Sequence, residues 1–278
     1  MPLVPTAELV DSARAAGIGV GAFNVITVEH AEAIVAGGER VRRPVILAIS
    51  QNAVRFHGGV YPIAAAAAAV ARGAGVPVGL HLDHVDDEDL LHQAGDAGFS
   101  SAMYDASRLD YADNLAATLS AATWAHERGL WLEAELGEVG GKDGAHAPGV
   151  RTDPDEARDF VAATGVDALA VAVGSSHAMT ERTASLDLEL IARLRAALEV
   201  PLVLHGSSGV PDEDLAKAVT AGMVKVNIGT ALNTAFTGSV RAFLAGDEKS
   251  VDPRRYLAPA RDAMADTVAR LLGALTGS

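Results

Sequence analysis

Three histidines stand out because each ends a short apolar run of the sequence. His84 ends PVGLHLDH, His177 ends AVAVGSSH and His205 ends PLVLH. If these runs are neighbouring strands, the imidazoles meet and can hold a zinc ion with an open position, the arrangement of a catalytic site. Such an ion acts as a Lewis acid on a substrate oxygen or activates water. The competing interpretation is three unrelated histidines packed in loops or in the core.

Carboxylates accompany these histidines. Asp83 directly precedes the first of them, and a carboxylate beside a dication keeps its charge and can exchange a proton with a substrate hydroxyl. The alternative role of Asp83 is to support a ligating histidine through a hydrogen bond. We expect the same of His81, or else that it is a core histidine with its hydrogen bonds made inside the protein. Asp105, Glu133 and Glu135 could form a second, oxygen-rich cation site, since the two glutamates face the same side of a strand. The alternative for this acidic group is polar filling of a barrel interior.

Two turns rich in glycine and hydroxyl groups indicate a phosphate site. They are Gly206–Gly209 (GSSG) and Asn227–Thr230 (NIGT), and each follows one of the last two apolar runs. Backbone N–H groups at such positions of a barrel commonly bind phosphate, and they need no basic surface to do so. A further segment, Gly137–Arg151, is long for a connection between a strand and a helix. Its five glycines are typical of a mobile lid or of a disordered insertion.

The composition excludes several classes of protein. The sequence has no cysteine, which removes disulfide scaffolds, thiolate zinc sites, iron–sulfur clusters and cysteine nucleophiles. Its 36 acidic and 22 basic side chains give a net charge of −14, which argues against a broad nucleic-acid interface. No apolar stretch is long enough to cross a bilayer, and the first residues lack the pattern of a secretory leader. We therefore expect a cytoplasmic protein that does not bind a membrane.

The elements that must position these residues alternate along the chain. Eight short runs are too apolar for a sheet with one wet face, which indicates parallel strands buried on both faces. The expected strands are residues 19–25, 44–50, 77–84, 100–105, 130–136, 168–173, 201–205 and 224–228. The expected helices, many of them rich in alanine, are residues 28–40, 62–72, 87–97, 111–128, 155–164, 187–198, 212–221 and 259–275.

Eight strand–helix units in about 250 residues indicate an α/β fold of the (β/α)8 TIM-barrel type. A doubly wound open sheet is the alternative, but evenly spaced strands favour closure. No linker or low-complexity segment divides the chain, so we expect one domain over residues 1–278. In such a barrel the chemistry lies at the C-terminal ends of the strands. The polar side chains that end the apolar runs should therefore meet at one rim.

Seven motifs follow one another in a fixed order. They are HLDH (81–84), SAMYDAS (101–107), EAELGEVGG (133–141), DALAVAVGSSH (167–177), PLVLHGSSG (201–209), KVNIGT (225–230) and DPRRY (252–256). In this order they resemble the class II, zinc-dependent fructose-bisphosphate aldolase family, in particular its tagatose- and ketose-bisphosphate branch. The similarity runs from Ala22 to Met264, nearly the whole chain, and such an ordered set is highly specific.

The resemblance implies a role for each residue at a matching position. The three histidines that end apolar runs are similar to the family's catalytic zinc ligands, and Asp83 is similar to its proton-transfer residue. Asp105 and Glu135 match a second, non-catalytic metal position of the family. The other matches imply contacts with the substrate and its phosphate groups: Asn24, Ser50, Ala178, Gly206, Ser207, Ser208, Asn227, Ile228, Gly229, Thr230 and Arg254.

The implied reaction is that of a lyase of carbohydrate metabolism and glycolysis. It is the retro-aldol cleavage of a ketose 1,6-bisphosphate to dihydroxyacetone phosphate and glyceraldehyde 3-phosphate, together with the reverse condensation. The ketose has the fructose or the tagatose configuration. Zinc polarises the C2 carbonyl, Asp83 takes the proton of the C4 hydroxyl, and an acid on the loop exchanges the C3 proton. The family also implies a monovalent cation, Na⁺ or K⁺, near the phosphate. It further implies a homodimer or homotetramer.

Two positions depart from the family's pattern. Ala178 stands where the family usually has a glycine that contacts the triose phosphate through its backbone. Asp143 stands where the loop usually carries glutamate, and aspartate can move a proton but reaches less far. These departures keep a non-catalytic sugar-phosphate-binding relative as an alternative function. Another alternative is a metal-dependent hydrolase on a barrel, although the two phosphate-binding turns speak against it.

Overall fold

Eight parallel strands form a closed barrel in which each strand pairs with the next and the last pairs with the first. This computed structural model describes residues 2–136, 151–175 and 180–276. The predicted TIM barrel is confirmed, and the open-sheet alternative is wrong. The strands are β1 (Val20–Asn24), β2 (Val45–Ser50), β3 (Val78–Val85), β4 (Ser101–Tyr104), β5 (Trp131–Glu135), β6 (Ala168–Ala170), β7 (Leu202–Leu204) and β8 (Met223–Ile228).

Helices surround the barrel, and none among the described residues is long and apolar enough to cross a membrane. Residues typical of helix ends begin and end several of them. The side chain of Asp153 caps one helix by accepting hydrogen bonds from two backbone N–H groups, and Gly165 ends that helix at φ 69°. The helices are α1 (Thr6–Ala16), α2 (Val28–Val41), α3 (Gln51–Phe56), α4 (Val60–Gly73), α5 (Glu88–Leu91), α6 (Tyr111–His126), α7 (Pro154–Thr164), α8 (Leu188–Ala197), α9 (Asp212–Ala221), α10 (Thr230–Gly246) and α11 (Pro253–Ala274).

The main hydrophobic core lies between the barrel and the ring of helices. Outward-facing side chains of the strands, such as Leu47, Leu80 and Leu132, are buried there. The alanine-rich helix α4 belongs to the same core, with Ala64 and Ala71 fully buried. Both faces of the strands are therefore covered, which explains why their sequences are nearly continuous apolar runs.

The interior of the barrel has an apolar end and a polar end. At the N-terminal end, Leu9 and Val10 of α1 form a buried apolar cluster with side chains of β1, β2 and β8, among them Ile46 and Ala48, and close the barrel. Towards the C-terminal ends of the strands the interior is filled by buried polar and charged side chains. They are His81, Asp83, Glu133, His205, Lys225 and Asn227. A buried polar layer needs internal partners for every group, so this end of the barrel is the place to look for chemistry.

Three helices lack a clear signal in the sequence, and two predicted helices differ in extent. Helix α1 begins without a side-chain cap, α3 is only six residues long, and α10 has a single fully buried side chain, Leu232. The predicted helix 87–97 is helical only in α5, because turns follow it and Gly98 adopts φ 91°. The last helix begins before Pro259, because Asp252 accepts a hydrogen bond from a backbone N–H and caps it there.

Candidate active site

A cavity of about 220 Å³ opens at the C-terminal ends of the strands. The ends of β1, β2, β3, β7 and β8 and the first turn of α10 surround it. The described residues that line it are Asn24, Ile26, Ser50, Asp83, His84, His205, Gly206, Ser207, Ser208, Asn227, Gly229, Thr230 and Asn233. Most of them carry a polar side chain or are glycines that expose the backbone, so the cavity suits a polar ligand.

A larger cavity, of about 370 Å³, lies at the opposite end of the barrel, beside Arg14 and Arg195. Helices α1 and α8 end next to it, and arginines in their last turns complement the partial negative charge of helix C-termini. The groups of described side chains that could hold a metal ion all lie elsewhere, at the C-terminal rim. We therefore place the chemistry at that rim.

His84 and His205 face each other in the rim cavity, with 3.1 Å between Nε2 of His84 and Nδ1 of His205. The outer nitrogen of each ring is bonded to a carboxylate, His84 Nδ1 to Asp105 at 3.0 Å and His205 Nε2 to Glu133 at 2.8 Å. Since a carboxylate accepts, each outer nitrogen carries a proton, and the inner nitrogen of a neutral ring presents its lone pair. Two facing lone pairs repel each other unless a cation lies between them.

The donor set around this pair fits a metal ion. Asp83, His84 and His205 each offer a ligand atom, and these atoms lie within 4.8 Å of one another. The separation of the two ring nitrogens is close to that of two imidazole ligands on one tetrahedral zinc ion, about 3.3 Å. Burial lowers the pKa of His84, but Asp83 and Asp105 outweigh this effect and raise that pKa to about 9. The surroundings therefore favour positive charge at this point.

The backbone of His84 explains how two consecutive residues of β3 both reach the cavity. Successive side chains of a strand point to opposite faces, and Leu80 and Leu82 point outwards into the core while Asp83 points inwards. His84 would therefore point outwards in a regular strand. Instead it adopts φ 49°, and the pairing of β3 with β4 shifts register between Leu82 and Val85. A positive φ at a non-glycine residue is strained, and such strain is concentrated at functional sites.

Asp83 is buried and held by two amides. Its Oδ1 accepts a hydrogen bond from Asn227 Nδ2 at 3.1 Å, and its Oδ2 accepts a long one from Asn24 Nδ2 at 3.4 Å. Burial raises its pKa, but His84, His81 and His205 together outweigh this effect and hold that pKa well below the usual range. Asp83 is therefore an oriented carboxylate that stays ionised at neutral pH.

A buried ion pair lies on the outer side of His205, away from His84. Glu133 Oε1 accepts a hydrogen bond from His205 Nε2, and Glu133 Oε2 accepts one from Lys225 Nζ at 2.6 Å. The side chains of Lys225 and Glu133 are both fully buried. Burial raises the pKa of Glu133, but Lys225 and His205 together outweigh this effect, and the pKa falls to about 2. Glu133 is thus a charged partner of His205, which places it with the polar filling of the barrel rather than in the predicted second cation site.

A second group of potential ligands shares His84 and adds Asp105 and Glu135. Burial and the charge of Asp105 raise the pKa of Glu135 to about 8, so this carboxyl needs a proton or a cation. Asn114 of α6 fixes this end of β5 by donating to the carbonyl oxygens of Glu135 and Leu136, at 3.2 and 2.7 Å. These two predicted members of a second metal position therefore lie together.

The structure brings together most of the predicted site residues but not all of them. Ile228 has its side chain in the hydrophobic core, so only its backbone can reach a ligand. Arg254 is exposed at the start of α11, where it pairs with Asp252 and is not among the residues that line the cavity. Three further predicted residues lie outside the described part of the chain: Asp143, His177 and Ala178.

Two residues of the site were not anticipated from the sequence. Lys225 lies in the apolar run VKVNI, where it shares a strand face with Asn227, and this shared face is the signal that could have revealed it. Asn233 lines the cavity from the first turn of α10, a helix that the sequence pattern does not predict. His81 satisfies its Nδ1 with Ser101 Oγ at 2.9 Å, as a supporting core histidine would.

Comparison with known proteins shows which family and which fold the chain resembles. Residues 4–278 match the family model described as "Fructose-bisphosphate aldolase class-II". The fructose-bisphosphate aldolase of Staphylococcus aureus (strain Mu50 / ATCC 700699) is 38% identical over 272 residues, which cover 96% of this chain and 95% of the relative. The probable fructose-bisphosphate aldolase of Bacillus subtilis (strain 168) has the same identity and coverage. The crystal structure of the YdjI aldolase from Escherichia coli K12 superposes with a TM-score of 0.84 at 29% identity, over 98% of this chain and 97% of that one.

Proposed function

Because the chain belongs to the class II fructose-bisphosphate aldolase family, we propose that it catalyses the zinc-dependent retro-aldol cleavage of a ketose 1,6-bisphosphate and the reverse condensation. The products would be dihydroxyacetone phosphate and glyceraldehyde 3-phosphate, from a ketose of fructose or tagatose configuration. One observation carries the proposal: a single cavity combines two facing imidazoles, an oriented carboxylate and two glycine- and hydroxyl-rich turns.

Zinc would be held by His84 and His205, together with His177, which lies outside the described residues. When bound, zinc supplies Lewis-acid stabilisation of the negative charge that develops on the carbonyl oxygen of the ketose. Asp105 and Glu133 hold the two described imidazoles in the tautomer that ligation requires. With Glu135 and His84, Asp105 also offers the ligand atoms for a possible second divalent ion.

Asp83 is proposed as the base that takes the proton of the C4 hydroxyl when the C3–C4 bond breaks. It is ionised, it lines the cavity, and two amides fix both of its oxygens. Asn227 has a buried Oδ1 with no hydrogen-bond partner among the described residues, so it can accept from a substrate hydroxyl. The proton at C3 is assigned to Asp143.

The phosphate of the triose portion is proposed to lie against the turns that follow β7 and β8. Gly229 and Thr230 begin α10, whose N-terminal N–H groups and dipole favour an anion. Ser208 already orients one of these groups, since its Oγ accepts from the N–H of Ala231 at 3.1 Å. Na⁺ or K⁺ is a possible companion of this phosphate. The other residues proposed to take part in the phosphate site are Gly206, Ser207, Ala178 and, through its backbone, Ile228.

The remainder of the substrate is assigned to the wall built by β1 and β2. Asn24 and Ser50 line that wall. Ser50 also caps α3, where its Oγ accepts from the N–H of Ala53 at 3.2 Å, and its position is thereby fixed. Arg254 is proposed for the distal phosphate, although in this chain its guanidinium is exposed and bonded to Asp252.

A coupled assay tests the proposal directly. Fructose 1,6-bisphosphate and tagatose 1,6-bisphosphate are offered to the purified chain, with and without a chelator, and triose phosphate and inorganic phosphate are measured separately. We expect triose phosphate from at least one of the two sugars, and loss of that activity with chelator or in His84→Ala. Release of inorganic phosphate would instead support a hydrolase. Tight binding of both sugars without turnover would support a non-catalytic relative.

A further inference from the structure

The first turn of α10 and the start of α2 meet beside the cavity, around a buried histidine that the proposed reaction does not use. His30 is only 3% exposed, and its ring lies 5.4 Å from that of Phe236. Its Nδ1 lies 3.3 Å from the backbone nitrogen of Thr27 and 3.1 Å from Oγ1 of the same residue. A backbone N–H can only donate, so Nδ1 is the acceptor and the neutral ring carries its proton on Nε2.

This Nε2–H group is a buried donor without an acceptor of ordinary hydrogen-bond geometry among the described residues. Buried donors of this kind are rare in folded proteins, and each calls for an explanation. Burial lowers the pKa of His30, and an interaction with the side chain of Asn233 partly counters this effect. His30 is therefore a neutral ring. Because its Nδ1 is engaged by Thr27, Nε2–H is the group left for an interaction with the Asn233 side chain.

We propose that His30 fixes the orientation of the Asn233 side chain so that its amide N–H₂ group binds a phosphate oxygen of the substrate. If Oδ1 of Asn233 accepts a hydrogen bond from the Nε2–H group of His30, then Nδ2 of Asn233 is directed away from His30, towards the cavity that Asn233 lines. His30 thus acts as a positioning residue and Asn233 as a binding residue. The inference rests on the proposed function, because it assigns a further donor to the phosphate site of the same cavity.

The surroundings of Asn233 favour an anion over a neutral group. Asn233 lies one helical turn after Thr230, and residues three apart share a face of a helix. Thr230, Gly229 and the helix N-terminus present hydroxyl and N–H groups on that side of the cavity. The only carboxylate among the described lining residues is Asp83, and the amides of Asn24 and Asn227 occupy its oxygens. A fixed amide donor there completes a set of donors for a phosphate group.

Two substitutions of Asn233 and one matched control test the binding role. Asn233→Ala should weaken the binding of inorganic phosphate about tenfold and raise KM for the ketose bisphosphate by a similar factor, as expected for one hydrogen bond to a charged group. The value of kcat should change by less than about threefold, since the bond is uniform between ground and transition states. Asn233→Asp should bind phosphate more weakly still. Thr234→Ala, at the next and exposed position of α10, should match the wild type.

Two substitutions of His30 test the positioning role. His30→Leu should weaken phosphate binding in the wild-type chain but add nothing when Asn233→Ala is already present, since the first residue acts through the second. His30→Gln places an N–H donor near the position of Nε2 and should restore most of the affinity. Melting temperatures of all variants, measured without ligand, show whether a loss of binding is a loss of folding.

Three outcomes would overturn the inference. The first is wild-type phosphate affinity in Asn233→Ala, and the second is additive effects of His30→Leu and Asn233→Ala on that affinity. The third is a raised KM of Asn233→Ala with unchanged phosphate affinity, which would assign the amide to a sugar hydroxyl. Phosphate binding is measured by calorimetry and needs no turnover. A chain that binds phosphate through Asn233 but cleaves neither ketose bisphosphate would therefore refute the proposed function and leave this inference standing.

Discussion

At the scale of single residues, Asp83 is an ionised carboxylate in a position where burial alone would raise its pKa. The neighbouring histidines hold its pKa well below the usual range, and two amides orient its oxygens. A group with so low a pKa accepts a proton only transiently. It is therefore suited to the proposed role of a base that takes a proton within the bound complex.

Asp83→Asn removes this base and keeps the shape of the side chain. We expect kcat to fall by a factor of about 10² to 10⁴, the usual contribution of a general base, with zinc content close to that of the wild type. Steady-state kinetics and metal analysis measure the two quantities. Asp96→Asn, at an exposed turn position, is the matched control and should leave both unchanged. A fully active Asp83→Asn enzyme would show that another group takes the C4 proton.

Lys225 is a second residue whose role follows from its neighbours. Lys225→Met leaves Glu133 as a buried charge without its ammonium partner, so we expect a loss of about 3–5 kcal/mol in the free energy of unfolding. The pKa of Glu133 should then rise. Once protonated, Glu133 no longer holds His205 by a charge-assisted hydrogen bond, and zinc affinity should fall. The double variant Lys225→Met/Glu133→Gln should recover stability, because a neutral amide needs no counter-charge. Denaturant unfolding and competition with a zinc chelator test this, and unchanged zinc affinity in Lys225→Met would contradict it.

At the scale of elements, one carboxylate ties three parts of the barrel wall together. Asp212, at the start of α9, accepts hydrogen bonds from Arg182, which follows β6, and from Arg270 of α11. Burial raises the pKa of Asp212, but the two arginines outweigh it and lower that pKa. A group whose pKa is lower in the folded state adds stability above its unfolded pKa, and this stability is lost as the pH falls through the folded pKa.

The pH dependence of unfolding should show this contribution. We expect Asp212→Asn to melt at a lower temperature than the wild type at pH 7, and the two melting curves to converge as the pH falls below about 4. Glu213→Gln, at the neighbouring exposed position, should follow the wild type throughout. A difference between Asp212→Asn and the wild type that stays constant down to pH 2 would rule out the charged pairs as its cause.

Helix α2 packs against α11 so closely that only glycine fits at one position. A Cβ atom added to Gly37 would lie 2.6 Å from Cβ of Val268 and 2.8 Å from the carbonyl oxygen of Ala265. We expect Gly37→Ala to lower the free energy of unfolding by about 1–3 kcal/mol, because a packed interface resists added volume. Gly238→Ala, in a helix interior with open space around it, should instead raise it by about 0.5–1 kcal/mol. Denaturant unfolding of both variants measures the two free energies of unfolding. Equal changes in Gly37→Ala and Gly238→Ala would show that helix propensity, not packing, dominates.

At the scale of the whole molecule, the barrel is largely predictable because its strands are buried on both faces. Seven of the eight strands begin and end within one residue of the predicted runs, and β6 ends three residues before its run does. Helices at the surface are harder to predict. Helix α10 is only half buried along most of its length, so no amphipathic pattern marks it, although its first turn carries Asn233 into the cavity.

The candidate site is predictable where residue type and strand end coincide, as at Asp83 and His205. The sequence also predicts His84 as a site residue, but it does not predict the backbone conformation that turns this side chain into the cavity, nor a side chain that crosses the barrel. The left-handed conformation of His84 and the reach of Lys225 to Glu133 depend on tertiary structure that no local pattern reports. The net charge of −14 is equally uninformative about the cavity, which is lined mainly by hydroxyl, amide and backbone groups.

The central claim, that a metal ion held by His84 and His205 drives aldol cleavage, is tested most directly by returning zinc to chelator-stripped protein. The quantity measured is the rate of triose phosphate formation from the preferred ketose bisphosphate, followed against the zinc added per chain. We predict that the stripped protein is inactive, that the rate rises in proportion to zinc, and that His84→Ala stays inactive at every zinc level. Cleavage by the fully stripped protein, or an active His84→Ala variant, would contradict it.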